Sequence, residues 1–351
     1  MDITVRVKRQ AGRDRAPSFQ DYQLSVDPDK NTVLDALNLI QWQQDGSLVF
    51  RRNCRNAICG SCAMHINGRA GLACQQKVGE AIGIGRIDPI SNEPIEVEPV
   101  LTIAPMQNLP VIKDLVVDMS KFWQNLERVD PYVSSAARKL DDREFLQTPA
   151  QRQKLEEAAN CILCGSCYSD CNALMVNEDF VGPHALAKAY RVMADNRDEQ
   201  YDDRVSKYNQ PDFVWGCTRC YNCNEVCPVG VQPLDRISQV KHEILQDESL
   251  PETRPQRHRH VMVSLVKREG WIDESKFGLE VVGNNFKDVG GLFSLVPLGL
   301  RMVFSGKMPW PWLFKPSAGT KQVRSLIEAV QKQEKANPTK PDQSKTNQSK
   351  N

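Results

Sequence analysis

Twelve cysteines in a chain of 351 residues all lie between Cys54 and Cys227, in three groups of four. That number is far below the composition of a disulfide scaffold. Met1 to Gln10 alternates charged and apolar residues and has no apolar run of the kind a secretory leader needs. Nor does any segment approach the ~18 uncharged apolar residues of a spanning helix. The longest candidate, Val289 to Leu300, contains three Gly and a Pro. A cytoplasmic setting is therefore predicted, where thiols stay reduced and clustered cysteines bind metal rather than pair as disulfides.

The first group is Cys54, Cys59, Cys62 and Cys74. Its C-x4-C-x2-C spacing with a distant fourth Cys is the plant-type [2Fe–2S] pattern. A loop with three thiolates wraps one side of such a cluster and a neighbouring strand brings the fourth. Gly60 and the small Ala57, Ser61 and Ala63 let backbone N–H groups approach the sulfides, while Arg51, Arg52 and Arg55 offset negative charge. The competing reading is a zinc loop. Zinc sites usually pair two C-x2-C knuckles, and this group has one.

The other two groups are a repeat. Cys161, Cys164, Cys167 and Cys171 map onto Cys217, Cys220, Cys223 and Cys227, each 56 residues later. Both read C-x2-C-x2-C-x3-C, the second ending in Pro228. In two-cluster ferredoxins with this run, the fourth Cys of each run serves the other cluster. The expected partition is Cys161, Cys164, Cys167 and Cys227 around one [4Fe–4S] cluster, and Cys171, Cys217, Cys220 and Cys223 around the distal one.

The rest of the chain reads as α+β. Ile3, Val5 and Val7 alternate with polar residues, as do Tyr22, Leu24 and Val26, which predicts two half-buried strands. Val33, Leu37 and Ile40 recur at helical spacing behind Thr32. Ala63–Ile66 reads as a strand entering an Asn67-Gly68 hairpin turn, and Ile95–Val100 as a last strand. This order is compatible with a β-grasp over 1–105. Past residue 110 the pattern turns helical, and 106–246 is predicted as an all-α two-cluster ferredoxin domain. Its helices are expected at Thr148 to Asn160, with a capping box and an early Pro, at Pro183–Asp195 and at Pro233–Gln246. Residues 197–212 read as a polar connection, 247–333 as a helical C-terminal extension, and 334–351 as a disordered tail.

The charge balance, 45 Lys and Arg against 44 Asp and Glu, lacks the basic excess of a nucleic-acid binder. No G-x-G-x-x-G fingerprint is present, so no flavin or nicotinamide site is expected on this chain. The five His make no ligand pattern with the cysteines; His65 and His184 are expected to be structural. No acid–base pair or activated Ser stands out. The chain is predicted to conduct electrons rather than transform substrate.

A plant-type group followed by two bacterial ferredoxin runs resembles the iron–sulfur subunit of succinate dehydrogenase and fumarate reductase. The matching stretches are Arg55-Asn-Ala-Ile-Cys59-Gly-Ser-Cys62, Gly71-Leu-Ala-Cys74, Cys161-Ile-Leu-Cys164-Gly-Ser-Cys167 and Cys227-Pro228, with Phe180-Val-Gly-Pro183 and Ala189-Tyr-Arg191. The resemblance covers roughly 1–245. It implies docking to a flavoprotein subunit carrying FAD, which oxidises succinate, and passage of electrons from [2Fe–2S] across two further clusters to quinone. It also implies a peripheral place on the cytoplasmic side of a membrane.

Two departures narrow the expectation. Familiar members lack a Cys at the second position of the third group and hold a distal [3Fe–4S]; Cys220 supplies the missing thiolate, so a second [4Fe–4S] is the natural reading, with [3Fe–4S] the alternative. The family's usual quinone pocket has a Pro-Ser pair, a Trp and a His where this chain has Asn172-Ala173, Val176 and Thr218. The combination is similar to the non-classical type, whose membrane partners resemble heterodisulfide reductase subunits. Val296-Pro-Leu-Gly-Leu-Arg-Met302 and Gly306-Lys-Met-Pro309 resemble the tail of small heterodisulfide reductase subunits. Phe293, Phe304, Trp310, Trp312 and Phe314 make this tail aromatic, and Arg254, Arg257, Arg259, Lys267 and Arg268 precede it. It suits a membrane surface, a partner groove or a strip folded back on the ferredoxin domain. The expected function is the electron-transfer subunit of a succinate dehydrogenase. The alternatives are a fumarate reductase or heterodisulfide-reductase-like electron-transfer subunit and, in another class, a zinc-stabilised interaction scaffold.

Overall fold

Ile3, Val5 and Val7 lie on one side of a strand, and all three are buried in the computed structural model, as period-two alternation requires. The structure describes residues 1–88, 90–95, 97–135, 143–247, 249–306 and 316–336. The chain folds as two units, Met1–Lys241 and His242–Asn351.

The first unit begins with β1 (Asp2–Arg9), β2 (Ser18–Ser25), α1 (Val33–Gln43), β3 (Ala63–Ile66), β4 (Arg69–Leu72), α2 (Val78–Ile82) and β5 (Val100–Ala104). The five strands form one sheet in the order β2-β1-β5-β3-β4. β1 and β5 are parallel and the other pairs antiparallel, which is the β-grasp arrangement. Thr32 caps α1 in a capping box with Asp35, and Val33, Leu37 and Ile40 are fully buried.

The last strand is not where alternation alone put it. It runs over Val100–Ala104 rather than Ile95–Val100. Leu101 and Ile103 are its buried residues, and they pair with Val5 and Val7 of β1. Pro94 and Pro99 withdraw two N–H donors from the stretch before it. Past residue 110 a short hairpin, β6 (Val111–Lys113) and β7 (Val116–Val117), precedes the helices. Its turn residue Asp114 is buried and accepts from Arg9 Nε and from the backbone N–H groups of Gln10 and Val49. These bonds tie the hairpin to the sheet domain.

Helices follow: α3 (Ser120–Glu127), α4 (Pro149–Ala159), α5 (Ser166–Ser169), α6 (Asn172–Val176), α7 (Pro183–Met193), α8 (Tyr201–Tyr208), α9 (Asn222–Glu225) and α10 (Pro233–Gln246). The Thr148–Gln151 capping box and Pro149 start α4. The polar stretch 197–212 is not a mere connection, because α8 forms inside it. The helix is organised around a buried charge. Arg204 pairs with Asp198 at 2.9 Å and donates to the carbonyls of Val129, Asp130 and Tyr132. Composition made the segment look like a loop, but the charged side chain points inward with all its partners.

The second unit holds α11 (Arg254–Glu269), α12 (Glu274–Val281), α13 (Val289–Phe304) and α14 (Thr320–Ala336). Val261, Leu265 and Val281 form its small core with Phe277. α14 reaches Ala336, so 334–336 are helical rather than part of a disordered tail; 337–351 lie outside the described residues, as do Trp310, Trp312 and Phe314. Lys267 pairs with Glu328 of α14, which helps hold that last helix. No described helix is long and apolar enough to cross a membrane.

Candidate metal centres

The Cys54–Cys74 group sits in the loop between α1 and β3, with Cys74 just past β4. Arg55, Ala57 and Gly60 adopt left-handed backbone, φ 62°, 61° and 70°, which turns successive N–H groups to one side. Ala57 N–H points at Cys74 Sγ (3.4 Å), Cys59 N–H at Cys54 Sγ (3.3 Å) and Ser61 N–H at Cys59 Sγ (3.5 Å). Amide donors aimed at sulfur stabilise thiolate, and the Ser61 hydroxyl with its neighbouring amides lowers Cys59 to about 6. Burial works the other way on Cys62, pushed up to about 12. All twelve cysteines are free of disulfides.

The repeat is written in the backbone as well as in the spacing. Leu163 and Gly165 have φ 55° and 88°, and Arg219 and Tyr221, 56 residues later, have φ 59° and 73°. α5 and α9 start one residue after each left-handed turn. Cys161, Cys164, Cys167 and Cys227 line one cavity, of about 360 Å³ including its open mouth, walled by Pro228, Val231 and His184. Cys171, Cys217, Cys220 and Cys223 line a second, of about 300 Å³, with Phe180, Thr218 and Ile237. Within this shell burial pushes Cys171 up to about 11 and Cys223 to about 12, and raises Cys161, Cys164 and Cys167. Such thiols stay protonated unless a metal displaces the proton.

These features fit iron–sulfur clusters. In the second and third groups four thiols line one cavity each, as a polyatomic group requires, and in the first the amide N–H groups are aimed at the sulfurs. The three sites are also contiguous. Gly60 lies against Cys164, so close that a Cβ there would stand 2.7 Å from the Cys164 Cβ. Cys167 and Cys223 share a packed cluster with Leu234, joined by Cys217.

Other residues at the site gave no sequence signal. His65 Nε2 lies 2.7 Å from Asp170 Oδ1 and 2.8 Å from Ser169 Oγ, buried between β3 and α5. The Asn108 amide donates to the carbonyls of Tyr168, Ser169 and Cys171. Lys188 Nζ donates to the Cys161 carbonyl at 3.5 Å and Lys241 Nζ to the Cys217 carbonyl at 3.1 Å. The two lysines stand 27 and 24 residues past their partners, so they fall outside the 56-residue repeat. His184 is buried, stacked on Phe122 at 3.8 Å, and bonded to its carbonyl: a packing role.

Residues 4–124 match the family described as 2Fe-2S iron-sulfur cluster binding domain, and 157–231 match the 4Fe-4S dicluster domain. The fumarate reductase iron-sulfur subunit of Haemophilus influenzae is 36% identical over 253 residues, 69% of this chain and 92% of that protein. That of Escherichia coli O6:H1 is 35% identical over 242 residues, with the same coverage. Among solved structures, a chain of the Mycobacterium smegmatis Sdh1 complex in the apo form superposes with a TM-score of 0.56 at 24% identity. The match covers 72% of this chain and 99% of that one, and it speaks to the fold alone.

Proposed function

The chain belongs to the iron–sulfur subunit family of fumarate reductase and succinate dehydrogenase, and from that we propose that it carries electrons from succinate oxidation on a FAD-bearing partner toward quinone at a membrane. As a member it is an electron-transfer subunit of an oxidoreductase, with [2Fe–2S] and [4Fe–4S] cofactors. The clusters supply one-electron carriers. Succinate yields two electrons and two protons to the partner's flavin; single-electron transfers through this chain then serve a quinone, which takes up two protons.

One observation carries the relay reading: three thiol-lined sites follow one another in contact, through Gly60–Cys164 and then Cys167–Cys223. In this reading Cys54, Cys59, Cys62 and Cys74 hold [2Fe–2S], and Cys161, Cys164, Cys167 and Cys227 hold the middle [4Fe–4S]. Cys171, Cys217, Cys220 and Cys223 hold the distal cluster. The chain's own work is to bury these sites, aim amide N–H groups at the sulfurs and place Lys188 and Lys241 beside the second and third. Cys220 is exposed, and so are Tyr221 next to it and Met175 and Val176 on α6. That surface suits a membrane-anchor or heterodisulfide-reductase-like partner through which quinone is reached.

A second reading, fumarate reduction, keeps the same wiring and reverses the flow; the names of the two relatives favour it. The test is to purify the chain with and without its flavoprotein partner. Succinate should reduce the clusters only in the complex, and turnover by the chain alone with a dye acceptor would refute the relay. The ratio of succinate oxidation to quinol-driven fumarate reduction in the complex then decides the direction.

A further inference from the structure

α13 of the second unit has no buried residue. Leu292 and Leu295 turn toward the α12 end: the α-carbons of Gly283 and Gly278 lie beside them, and a Cβ at Gly283 would meet Leu292 at 2.4 Å. A different face is left open. Val289, Phe293, Val296, Leu300 and Val303 recur every three or four residues, and all are exposed. Phe293 is 73% exposed and Phe304, which extends the stripe, 87%. A helix side this apolar is covered by something in use.

Charge identifies the cover. The chain as a whole is balanced, yet the 39 residues from Val289 to Ile327 contain five Lys or Arg (Arg301, Lys307, Lys315, Lys321, Arg324) and no Asp or Glu. A protein groove or a second copy of this chain has no need of that one-sided charge; an anionic lipid surface does. The helix cannot span: 16 residues rise about 24 Å, Pro297 interrupts them, and no described helix qualifies as a crossing segment. An exposed apolar stripe on a non-spanning helix that carries Arg301 and opens a stretch of sequence with basic but no acidic residues suits in-plane binding.

We propose that the second unit binds anionic bilayers directly, with α13 lying in the headgroup region and its Val289–Phe304 stripe in the acyl boundary. This goes beyond the relay reading, which requires only that a partner sit at the membrane.

The test uses the full chain, cluster-loaded and without partners, in flotation with vesicles of phosphatidylglycerol and phosphatidylcholine or of phosphatidylcholine alone. The chain should float with the anionic vesicles, less so as salt rises. The exposed double substitution F293S/F304S should weaken binding about tenfold or more while leaving the cluster absorbance unchanged. A second variant, R301E/K321E, should lose the anionic preference; Arg324 is left in place because it donates to the Lys267 and Arg268 carbonyls. Failure to bind anionic vesicles at low salt, or binding undiminished by F293S/F304S, would overturn the proposal. So would a concentration-dependent dimer that the same substitution abolishes without any lipid binding, which would assign the stripe to a second copy. Because the cluster spectrum is read separately, loss of lipid binding leaves the electron-relay reading standing.

Discussion

Gly60 touches Cys164. A Cβ built on Gly60 would lie 2.7 Å from the Cys164 Cβ and 2.8 Å from its Cα, so the loop of the first thiol group and that of the second meet with no side chain between them. For a relay this brings the two thiol groups' loops into direct contact, made possible by one residue that also needs a left-handed backbone, φ 70°.

Gly60→Ala should therefore do more than cost about 1–2 kcal/mol of left-handed strain. The backbone of Cys164 cannot yield like the end of a flexible side chain, so overpacking adds about 1–3 kcal/mol. The expected outcome is a lower melting temperature and altered electron paramagnetic resonance of both the first and the second cluster. If only the first changed, the contact would not couple the two sites.

Lys188 offers a test that leaves the fold alone. Its ammonium donates to the Cys161 carbonyl and its charge favours the Cys161 thiolate. A positive charge at this distance stabilises the reduced, more negative cluster. Lys188→Met should lower the midpoint potential of the middle cluster and leave the [2Fe–2S] potential in place. Redox titration reads both, and an unchanged or raised middle potential would contradict the electrostatic role.

Arg204→Met strips Asp198 of its buried partner. Both side chains are almost wholly enclosed, so the carboxylate is left uncompensated at a cost of about 3–5 kcal/mol. The Tyr132 carbonyl loses its donor as well, while Val129 keeps the Tyr208 hydroxyl and Asp130 the Tyr132 amide. Lys at this position keeps the charge but not the fork, and should restore only part of the loss. Thermal melting of the cluster-loaded chain measures both variants. A neutral Arg204→Met would mean that α8 is held by Val205 and Tyr208 alone.

The position of Arg204 shows where sequence reasoning stops. Thr32 at the start of α1 and the Thr148–Gln151 box are legible because a helix start is signalled within about three residues, although the Asp35 half of the first cap is supplied by the structure. The Asn67-Gly68 hairpin was legible for the same reason. The strand at Val100–Ala104 was misplaced because alternation runs on through Ile95 and Val97, and only pairing with β1 selects Leu101 and Ile103 as the buried pair. α8 was missed because its organising contacts reach back to residues 129–132. Of the candidate site, the sequence carried the cysteines and their 56-residue repeat. It did not carry Gly60–Cys164, His65–Asp170 or Asn108 with the α5 carbonyls, since each joins segments about sixty or more residues apart.

Cys220 separates two readings of the distal site. It lines the same cavity as Cys171, Cys217 and Cys223, and it stands 56 residues after Cys164, in a loop whose left-handed turns repeat those of the first run. A cubane needs one ligand per iron, and three thiolates alone leave one corner open. Against this, Cys220 is the one exposed cysteine of the twelve, and an exposed thiol can also stand beside a three-iron cluster without binding it. The repeat in backbone geometry weighs toward ligation, because a bystander cysteine gives no reason for Arg219 and Tyr221 to take the same left-handed turns as Leu163 and Gly165. Anaerobically prepared protein should then hold two [4Fe–4S] clusters, and Cys220→Ser should convert the distal one to [3Fe–4S]. Electron paramagnetic resonance of the oxidised protein distinguishes them, since the oxidised three-iron cluster is paramagnetic and a low-potential four-iron cluster is silent when oxidised. A full-occupancy three-iron signal in undamaged wild-type protein, unchanged by Cys220→Ser, would remove Cys220 from the ligand set.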